Sequence, residues 1–140
     1  MIPGRDRSPS LKRKKESFMT APYYHAESSA RKWGGNPEDY LEVHRWFDVE
    51  SKRSFCDYRH RALRHHAEGI DLCESVFGVT ITNSEGRKVP VRYIGEQHVM
   101  EDCGGRIPNL ADWLSRIQPE VWMSHGVLTL ESNASEKKNG

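Results

Sequence analysis

Two histidine and aspartate pairs share one spacing: His44 precedes Asp48 by four residues, and His98 precedes Asp102 by four. Residues four apart lie on one face of a helix, so each pair presents an imidazole and a carboxylate together. In a chain with seven His and seven Asp, chance supplies only about one third of such a pair. Two H-x-x-x-D elements, joined by His60 and His66, form a set of nitrogen and oxygen donors suited to Zn, Mn or Fe. The same spacing also makes ordinary helical ion pairs, and a buried imidazole often only bonds a carboxylate or carbonyl. What separates the two readings is whether the pairs converge in space, because one ion bound at roughly 2.1 Å from each nitrogen cannot serve rings more than about 8 Å apart.

If they converge, the chemistry is that of a metal-dependent hydrolase acting on phosphoesters. His44, His60 and His98 are the expected primary ligands, with Asp102 or Asp48 completing the sphere and His66 available beside them. A metal-bound water is the nucleophile, its pKa lowered by the ion. Glu101 or the unligated aspartate serves as general base. In the string DYRHRALRHH, Arg59 is the arginine nearest the inner face and could clamp a phosphate or carboxylate, set against plain surface pairing of these arginines with Asp57 and Glu68. Glu74 lies eight residues beyond His66, roughly 12 Å along a helix, so one ion does not bind both and Glu74 is expected to meet an arginine or an outer partner. No P-loop, G-x-G-x-x-G, H-E-x-x-H or G-x-S-x-G motif occurs. Two other classes compete: a non-catalytic interaction domain whose His and acid network is structural, and a nucleic-acid accessory protein acting through a basic tail.

The elements that must position these residues follow from local signals. A first helix over 24–32 stops at Gly34-Gly35. The second starts with Asn36 as cap, Pro37 in the first turn and Glu38 and Asp39 against the dipole, burying Tyr40, Val43, His44 and Phe47. A long third helix over 53–76 ends at Gly78, with Cys56, Leu63, Ala67, Ile70 and Phe77 inward, His60, His66 and Glu74 close to that direction, and His65 and Asp57 in solvent. VTIT and KVPVRYI alternate around Asn83–Gly86 and predict an antiparallel hairpin, with Pro90 on an edge. A fourth helix over 96–102 halts at Gly104-Gly105. A fifth, over 110–117, is capped by Asn109 and docked by Trp113, Leu114 and Ile117. The fold class is α+β, mostly helical, with about five helices and one hairpin between the third and fourth.

Size and composition set the frame. A chain of 140 residues suits one core, here 19–125, between a basic tail over 1–18 and a polar tail over 126–140. Without both tails the net charge is near −3, which disfavours duplex binding by the core and leaves weak nucleic-acid contact to residues 1–18. No apolar run approaches a membrane span, and the basic start lacks an h-region, so a cytoplasmic location is expected. Cys56, Cys73 and Cys103 are odd in number and form no C-x-x-C, so they are expected as free, mostly buried thiols. The partner and the oligomeric state stay open.

The strings HAESSARKWGG, HRWFD, DYRHRALRHHAEGI and VPVRYIGEQHVMEDCGGRIPNLADWL resemble a family of small, uncharacterised bacterial and phage proteins, over about Tyr23 to Met123. That resemblance implies the domain limits and transfers no activity, cofactor or catalytic residue. The alternation of His and acids is also vaguely similar to the HD phosphohydrolase superfamily, which is helical and metal-dependent, but the adjacent His-Asp dyad of that superfamily is missing here.

Overall fold

The computed structural model describes residues 22–48 and 57–127. Cys56, both predicted tails and the start of the predicted long helix lie outside or at the edge of these limits. Helix α1 runs over 22–33 and stops where Gly34 and Gly35 take φ of 87° and 75°, left-handed values that only glycine adopts without strain. Helix α2 is Glu38–Asp48, burying Tyr40, Val43, His44 and Phe47 as the apolar spacing requires. Its cap differs from expectation: the Asp39 carboxylate accepts from the Asn36 N–H at 2.8 Å, while the Asn36 side chain donates to Ser84 instead.

The predicted long third helix is two elements. A 3₁₀ turn, Tyr58–Leu63, follows Asp57, whose side chain accepts from the Arg59 N–H, and α3 is Ala67–Phe77. The break at residues 64–66 resets the helical phase. Leu63, expected inside, is 61% exposed, and His65, expected in solvent, is fully buried. His66 caps α3, its ring accepting from the Gly69 N–H. Downstream of the break the expected face survives, with Ile70 and Cys73 buried, and Glu74 meets Arg92 at 3.4 Å.

Strands β1 (Thr80–Thr82) and β2 (Lys88–Pro90) pair antiparallel, with Ile81 opposite Val89. The Asn83 side chain closes the turn by accepting from Glu85 and Arg87 N–H groups. Its amide donates to the Trp33 carbonyl and the Tyr40 hydroxyl, tying the hairpin to α1 and α2. Helix α4 is Val91–Asp102, five residues longer at its start than predicted. Val91, Ile94, His98 and Asp102 have helical spacing, which the alternation of VPVRYI hides, and Pro90, unable to donate to a ladder, ends the strand.

Helix α4 packs across α2 and α3. Their shared core is Tyr40, Val43, Phe47, Ile70, Cys73, Val89, Val91, Ile94 and Val99, closed by Ala26 and Trp33 of α1. Gly95 permits the close crossing, since a Cβ there would stand 3.2 Å from Phe47. Helix α5 is Leu110–Leu114, capped by Asn109 as expected, and the Asp112 side chain returns the bond by accepting from the Asn109 N–H. It ends three residues early, and Leu114 and Ile117 are about half exposed rather than docked; Trp113 anchors it by donating to the His65 carbonyl at 3.0 Å. Among the described residues no helix is long and apolar enough to cross a membrane.

Gly69 holds the break in place, because a Cβ there would lie 1.9 Å from the Arg64 carbonyl oxygen. Overpacking of this kind costs roughly 1–3 kcal/mol. Gly69→Ala is therefore expected to lower the denaturant midpoint by the equivalent of about 3 kcal/mol, and an unchanged midpoint in urea would show that the 64–66 turn tolerates the methyl group.

Candidate metal centre

The cluster forms where the last turns of α2 and α4 meet α1 and the 58–66 segment. Asp48 ends α2 and Asp102 ends α4, so both carboxylates stand at the negative end of a helix dipole, where a negative charge is disfavoured. Asp48 is buried, and the Asp102 side chain is 17% exposed. Such carboxylates need positive or hydrogen-bonding partners, and four histidines supply them. His60 Nε2 lies 3.2 Å from Asp48 Oδ1 and His65 Nε2 lies 2.9 Å from Asp102 Oδ2. His98 Nε2 is 3.4 Å from Asp48 Oδ2 and 3.3 Å from Asp102 Oδ2. His25 Nε2 is 3.1 Å from Asp102 Oδ1.

The second nitrogen of three of these rings is committed outward. His25 Nδ1 faces Glu101 Oε1 at 2.9 Å, and His60 Nδ1 faces the Asp57 carbonyl at 2.5 Å. Both partners only accept, so each Nδ1 carries the proton. For His98 the tautomer is set through a relay. The Gln97 amide donates to the His25 carbonyl and to Glu101, which orients its oxygen toward Ser29, 2.6 Å away. The single hydroxyl proton of Ser29 is taken by acceptors, that oxygen and the His25 carbonyl at 3.1 Å, so His44 Nε2 must donate to Ser29 Oγ at 2.7 Å. Burial first, then the neighbouring His98 and His25, hold the His44 pKa well below its ordinary value, so the ring is neutral and its Nδ1 accepts from His98 Nδ1 at 3.0 Å. In neutral His25, His60 and His98 alike, the Nε2 lone pair then points at the aspartates. An outward N–H on a carboxylate or carbonyl with an inward lone pair is how metal-ligating histidines are oriented.

The separations fit an ion. A tetrahedron of 2.1 Å bonds has edges of about 3.4 Å; the ring nitrogens of His25 and His98 stand 3.1 to 3.4 Å from aspartate oxygens, the two rings facing different oxygens of Asp102. One ligand atom each from His25, Asp48, His98 and Asp102 falls within a mutual 4.8 Å, and so does the set Asp48, His60 and His65. Asp48 belongs to both.

The two sequence pairs therefore do converge, in altered roles. His98, Asp48, Asp102 and His60 lie in the cluster. His44 stands one ring further out with both nitrogens engaged. His66 is outside, its Nε2 facing the Ala62 and Leu63 carbonyls. Glu101 holds His25, Ser28 and Gln97, and these contacts outweigh partial burial to lower its pKa. Arg59 is exposed and pairs with Asp57 at 2.9 Å.

His25 and His65 are the members that sequence reasoning missed. His25 sits four residues before Ser29 on the buried face of α1, a spacing open to inspection; His65 was hidden by the false helical phase. Burial opposes charge on both, but Asp102 and Glu101 raise the pKa of His25, and Asp102 and Asp48 raise that of His65. The same contacts overcome burial to push the carboxyl groups of Asp48 and Asp102 well below the usual range. The His65 Nδ1 has no hydrogen-bond partner among the described residues. Burial pushes the Cys73 thiol up to about 12, which disfavours the thiolate a nucleophile needs.

Residues 20–123 match the family described as a domain of unknown function, DUF6915. The chain belongs to that family. No curated protein and no solved structure shows significant similarity to it. That family carries no stated function, so the reading of the site rests on its own geometry.

Ser29 links both halves of the relay. Ser29→Ala would leave the Gln97 oxygen and a His44 donor buried without a partner, at a cost of roughly 1–3 kcal/mol. A lower midpoint in chemical denaturation is the expected result, and a change below about 0.5 kcal/mol would mean that the relay does not constrain the rings.

Proposed function

We propose that the chain binds a divalent transition metal, Zn, Mn or Fe, between Asp48 and Asp102 and acts as a metal-dependent hydrolase. One observation carries the reading: His25, His60 and His98 each turn Nδ1 to an outer partner and Nε2 to the two aspartates. His25, His98, Asp48 and Asp102 would hold the ion, with His60 and His65 on the other oxygen of Asp48. The roles of His44 and Glu101 are then to orient His98 and His25. A bound ion would supply a water of lowered pKa and a Lewis acid. Among the residues that would hold it, Asp102 also lines an open pocket, so a substrate would approach past its carboxylate.

A structural reading has one observation in its favour. With His25 and His65 protonated, their raised pKa values let two imidazolium charges balance the two aspartates without an ion. The readings separate by experiment. Elemental mass spectrometry of the full chain, purified without a polyhistidine tag, is expected to find near-stoichiometric metal that is lost in Asp48→Asn and His98→Gln. His44→Gln should retain the site with affinity weakened about 10- to 100-fold. EDTA should lower the melting temperature, since metal bound only by the folded state stabilises it. A metal-free protein after reconstitution with Zn, Mn and Fe, melting identically with and without EDTA, would leave the cluster as a structural network. Turnover of chromogenic phosphoesters, present with metal and lost in Asp102→Asn, tests the hydrolase assignment itself.

A further inference from the structure

Beside the cluster lies an open pocket of about 330 Å³ whose wall includes Asp102, Arg61, Arg106, Arg116 and Trp113. That volume is at the lower end of the roughly 300–1,000 Å³ typical of small-molecule sites. We propose that this pocket binds the phosphoryl group of a small organic phosphate ester, held by the three guanidinium groups with its reacting end toward Asp102. The assignment rests on the metal-dependent reading for the reaction, but not for the binding.

Arg61 follows His60 in the 3₁₀ turn, and its Nη1 donates to the Asp102 backbone carbonyl at 3.0 Å. One residue thus faces the histidines with its carboxylate and anchors the pocket's arginine with its carbonyl. The Arg61 Nε is buried and has no hydrogen-bond partner among the described residues, and its guanidinium group forms part of the pocket wall.

Arg106 reaches across to Asp112 at 3.7 Å, a long, exposed contact that a doubly charged anion would outcompete. Arg116 is exposed in the same wall. Three guanidinium groups against the two carboxylates of Asp102 and Asp112 leave the lining positive although the folded part as a whole is acidic. Planar N–H forks at several angles suit the three oxygens of a phosphoryl group better than the two of a carboxylate. Trp113, fixed by its bond to the His65 carbonyl, adds a flat apolar wall for the organic part. Cys103 also lines the pocket, but burial raises its thiol pKa, so the lining offers guanidinium groups rather than a thiolate. Arg59, expected from the sequence to clamp the anion, is occupied by Asp57 on the outer side of the same turn, and Arg61 takes the place expected for it.

The test is calorimetric titration of the full chain with phenyl phosphate, in metal-loaded and EDTA-treated forms. Binding by both forms is expected, with the Kd raised about tenfold in Arg61→Lys and in Arg116→Ala, as loss of a charge-assisted contact implies. Arg116 is on the surface, so its variant should fold even if the Arg61 variant does not; metal content should be unchanged in it. Binding that survives EDTA and weakens in the arginine variants supports the pocket even if the metal reading fails. Binding that requires metal and is unchanged in both arginine variants overturns the pocket and leaves the metal centre standing. No heat with millimolar phenyl phosphate in either form also overturns it.

Discussion

Two carboxylates at the ends of two helices, turned inward, are the constraint around which this small fold is arranged. Asp48 and Asp102 stand where the helix dipole disfavours negative charge, and burial removes the water that would solvate them. Neither can be left unpaired, so α1 and α4 each contribute one imidazole and the 58–66 segment two to the same few ångströms. Removing one partner from such a group costs more than the group contributes intact, because the remaining charge stays buried. The cluster therefore behaves as one unit, and its members share one function or none.

The layers around it are graded by chemistry. Innermost are the aspartates with His25, His60, His65 and His98. Next come groups that only orient: Glu101 on His25, the Asp57 carbonyl on His60, and the chain of Gln97, Ser29 and His44 on His98. Outside these the core packs directly, with Phe47 stacked 4.6 Å from the His98 ring. Gly95 and Gly69 permit the two close approaches that bring the layers together. Polar groups at this density are tolerated because nearly every one has a partner; among the described residues the two buried side-chain atoms without one, on His65 and Arg61, lie in the cluster and at the edge of the pocket beside it.

Much of this was legible in the amino-acid order because it depends on local rules. The apolar stripe of α2, the glycine stop of α1, the turn at Asn83–Gly86 and the cap at Asn109 each follow from backbone geometry within a few residues. So does the pairing of His98 with Asp102 one helical turn apart. The errors also have a local cause. Residues 53–76 carry helical periodicity, and nothing within one turn shows that the chain breaks at 64–66; that break requires Ala67 to bond Pro108 and Trp113 to bond His65, contacts some forty residues apart in sequence. A false phase over that stretch sent His65 to the solvent; His66 is buried as expected, but as the cap of α3 rather than in the cluster.

The sequence by itself determined the donor inventory, the helical faces that carry it and the four-residue pairing of His98 with Asp102. Only the tertiary structure decided which donors meet. His25 joins because α1 lays its buried face against α4, His44 withdraws because its two nitrogens are taken by Ser29 and His98, and Arg61 replaces Arg59 because the carbonyl that anchors it belongs to a helix forty residues away. The physical reason is the same in each case. Spacing along a helix fixes which side chains share a face, whereas a hydrogen-bond partner or a shared ion is chosen by whichever faces the packing of the core brings together.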